Sequence, residues 1–108
     1  MAKTGAYNIT IIVNHVIEGE LVKVIKDACK SAKCYLTIYY KQGLNITYIR
    51  NILEKEGFKI VFVKEFKQNE KVSFGDMAIV LSHISNAGEL YDRFKLKDLK
   101  IPVIFILK

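Results

Sequence analysis

Five short apolar runs punctuate the chain: residues 9–13 (ITIIV), 35–40 (YLTIYY), 60–63 (IVFV), 77–81 (MAIVL) and Val103–Leu107 (VIFIL). They are rich in β-branched and aromatic residues and do not alternate strictly between apolar and polar. Runs of that kind read as strands buried on both faces, inside a sheet with helices packed against it. After the first run, Ile17, Leu21, Val24, Ile25, Ala28, Cys29 and Ala32 recur at helical spacing and predict an amphipathic helix from about Glu18 to Ala32. A second helix is predicted from Asn45, a good N-cap, with Ile46, Ile49, Ile52 and Leu53 facing inward and Gly57 as its C′ residue. A third, shorter helix starts at Asn86 and buries Leu90, Tyr91 and Phe94. The sole proline, Pro102, opens the last strand, where a missing N–H is tolerated. Together these elements predict one α/β domain over residues 1–108: a three-layer, Rossmann-like arrangement of a five-stranded, mainly parallel sheet and three helices.

One gap breaks the alternation. Residues 64–75 are mostly polar (Lys67, Gln68, Asn69, Glu70, Lys71) and carry no helical stripe. Parallel neighbours need a crossover of a dozen or more residues, usually helical, whereas antiparallel neighbours need only a short loop. Two geometries therefore fit: an antiparallel hairpin of residues 60–66 and 72–81 turning near Asn69, or an irregular crossover within a fully parallel sheet. Each implies a different site.

In the parallel geometry the simplest strand order is 3-2-1-4-5, reversing between the first and fourth strands. Ligands of open α/β sheets bind outside the carboxyl ends of the strands at such a reversal. Asn14 and His15 lie just past the first strand, and Ser82, His83, Ser85 and Asn86 just past the fourth. The chain's two histidines would then face one crevice, as a candidate acid–base pair or phosphoryl acceptor. Glu18 or Glu20 is placed to orient one ring, and free N–H groups around Ser85 and Asn86 to hold an anion. The loop after the first strand, Asn14 to Glu20, has one glycine and two acids, so it is neither a dinucleotide fingerprint nor a Walker loop. A histidine directly after the first strand with a helix following locally resembles the phosphotransferase-system enzyme IIA domains of the mannose type. That resemblance spans roughly residues 9–26 and implies a phosphohistidine at His15.

In the hairpin geometry His83 moves to the opposite edge of the sheet and a basic arm appears instead. It carries Lys64, Lys67 and Lys71, with Phe66 and Phe74 at its base, and suits a phosphate backbone with an aromatic free to stack. The order β-α-β-α-β-β over residues 7–83, with Gly43-Leu44-Asn45-Ile46 leading into the second helix, resembles that of the archaeal chromatin family Alba. The resemblance implies a dimeric DNA- and RNA-binding protein. Here Asn14-His15-Val16 replaces that family's lysine-bearing loop, and the segment from Ser85 onward has no counterpart in it.

Charge adds to the binding reading. The formal net charge is +6, built almost wholly of lysine, with arginine only at Arg50 and Arg93. Scarce arginine argues against base-specific readout and leaves sequence-independent attraction to polyanions. The outer face of the first helix and its exit carry Lys23, Lys26, Lys30 and Lys33. Tyr35, Tyr39, Tyr40 and Tyr48 cluster around the second strand and helix; most read as core or sheet edge, with one or two available to stack on a base.

Cys29, on the apolar stripe of the first helix, and Cys34, at the start of the second strand, read as small buried apolar side chains, a disulfide or metal role being the alternative. No cofactor and no metal are implied. The apolar runs are far too short to span a bilayer and no secretory leader is visible, so a cytoplasmic protein with no membrane association is expected. An apolar final strand at a sheet edge predicts a homo-oligomer, most simply a homodimer. The favoured expectation is thus a non-enzymatic module for DNA, RNA or another polyanion. The alternatives are an enzyme or phosphocarrier using His15 and His83, and a protein–protein interaction module.

Overall fold

A computed structural model describes residues 6–17, 19–29, 33–67 and 70–108. Its five strands are β1 (Tyr7–Val13), β2 (Cys34–Lys41), β3 (Lys59–Phe66), β4 (Met77–Ser82) and β5 (Val103–Leu107). They form one sheet of order β3-β2-β1-β4-β5, every neighbouring pair parallel. The α-helices among the described residues are α1 (Leu21–Ala28), α2 (Thr47–Lys55) and α3 (Ala87–Arg93). The chain winds one way from β1 to β3 and the other way from β4 to β5, and its helices change face accordingly, as right-handed crossovers require. Leu21 and Ile25 of α1 and Ile49 and Leu53 of α2 pack on Ile9, Ile11, Leu36, Ile38 and Ile79. Leu90 and Phe94, from α3 and its end, pack with Leu96 on Ile12, Tyr39, Phe66 and Val80. With layers on both faces, β1 from Ile9 and all of β4 are buried, which is why their sequences do not alternate.

The antiparallel hairpin does not form. β4 pairs with β1, and the described residues between β3 and β4 include no helix. The crossover substitutes side-chain anchors for a helical face: Val72 and Phe74 pack into the α3-side layer. The Gly75 amide donates to Thr10 Oγ1 at 3.0 Å, satisfying a hydroxyl buried in β1. Asp76 closes a reciprocal pair with Asn8, donating N–H to its carbonyl (2.7 Å) and accepting its N–H on Oδ2 (2.9 Å). The proposed turn residue, Asn69, lies outside the described residues.

Near the start of the crossover, Lys64 is ion-paired with Glu70, whose Oε1 also accepts the Lys67 amide. The hydrogen bond from Lys64 holds the Glu70 carboxyl below its ordinary 4.5, and the same bond holds Lys64 above its ordinary 10.5. Glu70 therefore stabilises the fold above about pH 4.5, and its contribution is lost as pH falls through its depressed value. The contribution of Lys64 is present below 10.5 and lost as pH rises through its elevated value. Glu70→Gln is expected to lower the thermal midpoint slightly at pH 7. The difference from the parent should shrink in high salt and vanish in acid, because the pair is solvent-exposed. A difference that survives at pH 3 would show that charge is not its origin.

Other elements depart from the sequence reading in detail. α1 ends at Ala28, and Cys29 turns out of the helix to join Cys34 in a disulfide, with Cα atoms 6.1 Å apart. The two cysteines are therefore bonded to each other and are not independent apolar fillers. The expected helix limits Glu18 and Ala32 lie outside the described residues. Helix α2 starts two residues later than Asn45, whose Oδ1 nevertheless accepts the Thr47 amide at 3.0 Å. It ends as expected, with Gly57 at φ 90°. Tyr91, expected in the core, is 40 % exposed, while Leu90 and Phe94 are buried. No helix among the described residues is long and apolar enough to cross a membrane.

Candidate functional site

The reversal of strand order falls between β1 and β4, and the chain is pinned there. The Leu81 carbonyl accepts both the Asn14 amide (2.9 Å) and the His15 amide (3.2 Å), folding the end of β1 against the end of β4. His15, half-buried, thereby meets His83, exposed, with ring centroids 5.8 Å apart and planes at 82°. The two rings touch edge to face.

His83 is oriented from its own side of the crevice. Its Nδ1 accepts the Ser85 amide at 3.2 Å and lies 2.7 Å from Ser85 Oγ. A ring nitrogen that accepts an N–H carries a lone pair, so in the neutral ring the proton sits on Nε2. His83 thus presents a hydrogen-bond donor. Below it, the buried Ser82 hydroxyl donates to the His83 carbonyl at 2.8 Å. The expected anion cradle at Ser85 and Asn86 is differently arranged. The amides of Ile84, Ser85 and Asn86 already donate to the Lys108 carbonyl, His83 Nδ1 and the His83 carbonyl.

Asn14, the residue before His15, and Asn86, whose amide donates to the His83 carbonyl, help to line an open cavity of 280 Å³ together with Lys41, Glu89 and Arg93. Lys41 ends β2 at the carboxyl edge of the sheet, and Arg93 of α3 lines the same cavity there. Arg93 is held in place, its guanidinium 5.3 Å from the ring centres of both Phe66 and Phe94 and donating to the Lys67 carbonyl at 2.8 Å. Sequence reasoning missed Lys41, Glu89 and Arg93. The expected strand order carried a signal for Lys41, since the end of the second strand must lie beside the end of the first. Nothing local marked Arg93, which arrives through the packing of α3.

The lysines singled out from sequence do not form one arm. Lys23 and Lys26 are exposed on α1, where Lys26 Nζ pairs with Glu56 Oε1 at 2.6 Å. Lys33 is exposed ahead of β2, and Lys30 lies outside the described residues. Lys64 is taken by Glu70, while Lys67 and Lys71 are exposed along the crossover. The crossover packs on the α3 side of the sheet and α1 on the other, so these groups occupy two faces. Among the described residues no cluster of three or more metal-ligating side chains occurs. Comparison of the chain with protein-family models, with curated proteins and with solved structures finds no match.

Proposed function

We propose that the chain is an enzyme acting on a small anionic substrate at the reversal of the sheet, with His15 as proton acceptor and His83 as hydrogen-bond donor through Nε2. The observation that carries this reading is the edge contact of the two imidazoles, delivered by the two strands between which the order reverses. The fixed tautomer of His83 divides the roles, and Lys41 and Arg93, which share a cavity with Asn14, the residue before His15, favour an anion over a neutral ligand, Glu89 offsetting part of their charge. The test is an NMR titration of the imidazole signals with inorganic phosphate, small phosphate esters and small carboxylates. At least one should shift both rings saturably, and Lys41→Ala should weaken that response. If no anion moves both sets of signals, or if a saturable response survives unchanged in His15→Ala, the site is not there.

The net charge of +6 favours a second reading, binding of a polyanion. Its structural support lies at the amino ends of the strands, away from both histidines. Pairing with a second copy is supported by β5, an edge strand with Ile104 and Leu107 exposed.

A further inference from the structure

Strands β2 and β3 are covered unequally. One face is roofed by α2, whose Ile49 and Leu53 belong to the same buried layer as Leu36 and Ile38. On the other face, the crossover and α3 cover only the carboxyl half, over Tyr39 and Phe66. The amino half carries Tyr35 and Thr37 on β2 and Lys59 and Phe62 on β3, adjacent in register. A bulge makes this face. Leu36 pairs with Ile60 but Thr37 pairs with Phe62, so Val61 is the extra residue and Phe62 is set on the Thr37 side. Phe62 is left 48 % exposed, its ring 6.0 Å from that of Tyr39 and inclined at 62°. Lys59 Nζ lies over the Tyr35 ring, 5.9 Å from its centre. At the strands' amino ends the face meets an open cavity of 450 Å³ lined in part by Lys33, Tyr35, Phe58 and Lys59.

We infer that this half-face binds a single-stranded nucleic acid, with bases stacked on Phe62 and Tyr35 and phosphates on Lys33 and Lys59. Two aromatic rings on an open sheet flanked by lysines supply both terms that such ligands use: sequence-tolerant stacking and attraction to the backbone. Charge complementarity selects this occupant over a second copy of the chain, which would bring Lys33 and Lys59 against their own kind. The bases must be unpaired, because a duplex hides the stacking faces the rings need. The site is independent of the histidine crevice, which lies at the opposite ends of the strands.

The experiment is fluorescence anisotropy with labelled single-stranded oligo(dT) and oligo(U) and a DNA duplex of equal length, at about 50 and 200 mM salt. Saturable binding of a single strand, tighter than the duplex and weakening with salt, is expected. Phe62→Ala and Tyr35→Ala should each weaken it about 5- to 150-fold. Phe62→Leu, which keeps apolar bulk at the position without the ring, should lose affinity similarly, and Lys59→Glu should lose it most at low salt. Lys108→Glu, past the carboxyl end of the opposite edge strand, should leave the affinity for the single strand unchanged. Absence of saturable binding at 50 mM salt would overturn the inference, as would equal affinity for the duplex or indifference to Phe62→Leu. So would a self-association of the free protein that Phe62→Ala abolishes, because the face would then be a subunit interface.

Discussion

Gly75→Ala is expected to destabilise the protein by about 1–3 kcal/mol, the usual cost of forcing extra volume into a packed site. A β-carbon at Gly75 would lie 2.6 Å from the Asn8 carbonyl oxygen and 2.8 Å from Asn8 Cβ. Neither atom can yield cheaply. Asn8 belongs to the central strand, whose ladder to β2 fixes its position, and its own N–H and C=O are both bonded to Asp76. Relief by moving the crossover would break the bond from the Gly75 amide to Thr10 Oγ1 and leave a buried hydroxyl without its partner. Gly88→Ala is the control, since a β-carbon there meets nothing within 4 Å and its place in α3 favours alanine. The measurement is urea unfolding of both variants, where a lower midpoint at unchanged slope reads directly as lost stability. Equal midpoints would mean that the seat of the crossover on β1 is not what holds β4 in its parallel register.

The layers of this fold were legible because short β-branched and aromatic runs alternate with helical stripes, although the runs at 60–63 and 103–107 carry the same pattern on edge strands that are mostly exposed or half-buried. All five runs read alike from sequence, and only those at 9–13 and 77–81 are buried along almost their whole length, as the two strands between which the order reverses. The direction of β4 was not legible. It depends on contacts such as Gly75 to Thr10 and Asp76 to Asn8, each spanning more than sixty residues and leaving no periodicity in the polar segment that makes them. Helix ends were blurred for a related reason: Cys29 continues the apolar stripe of α1 but is drawn out of it by Cys34. The histidine pair was readable as one of two geometries, because strand ends and strand order suffice to place it. The Tyr35–Phe62 face was not, because it needs the bulge at Val61 to set Phe62 on the Thr37 side, and a bulge is invisible in a four-residue apolar run.

At the histidine crevice the largest effect is expected from His15→Gln, a loss of about 10²- to 10⁴-fold in turnover of the anionic substrate that the imidazole titration identifies. Glutamine approximates the reach of an imidazole nitrogen but cannot take a proton, so it removes the acceptor while keeping the volume. His83→Gln should cost less. The Ser85 amide holds the His83 proton on Nε2, so this ring acts as a donor, and a glutamine amide can replace part of that role. Ser85→Ala should cost least of the three, because it removes Oγ but retains the amide that fixes the tautomer. The ranking distinguishes divided roles from a merely structural pair. If the contact only packs the end of β1 against β4, His15→Gln and His83→Gln should lower stability by similar amounts and leave turnover per folded molecule unchanged. If the rings exchange roles during the reaction, the two glutamine variants should be equally inactive. Only the assignment of His15 as acceptor and His83 as donor predicts a folded, inactive His15→Gln beside a partly active His83→Gln.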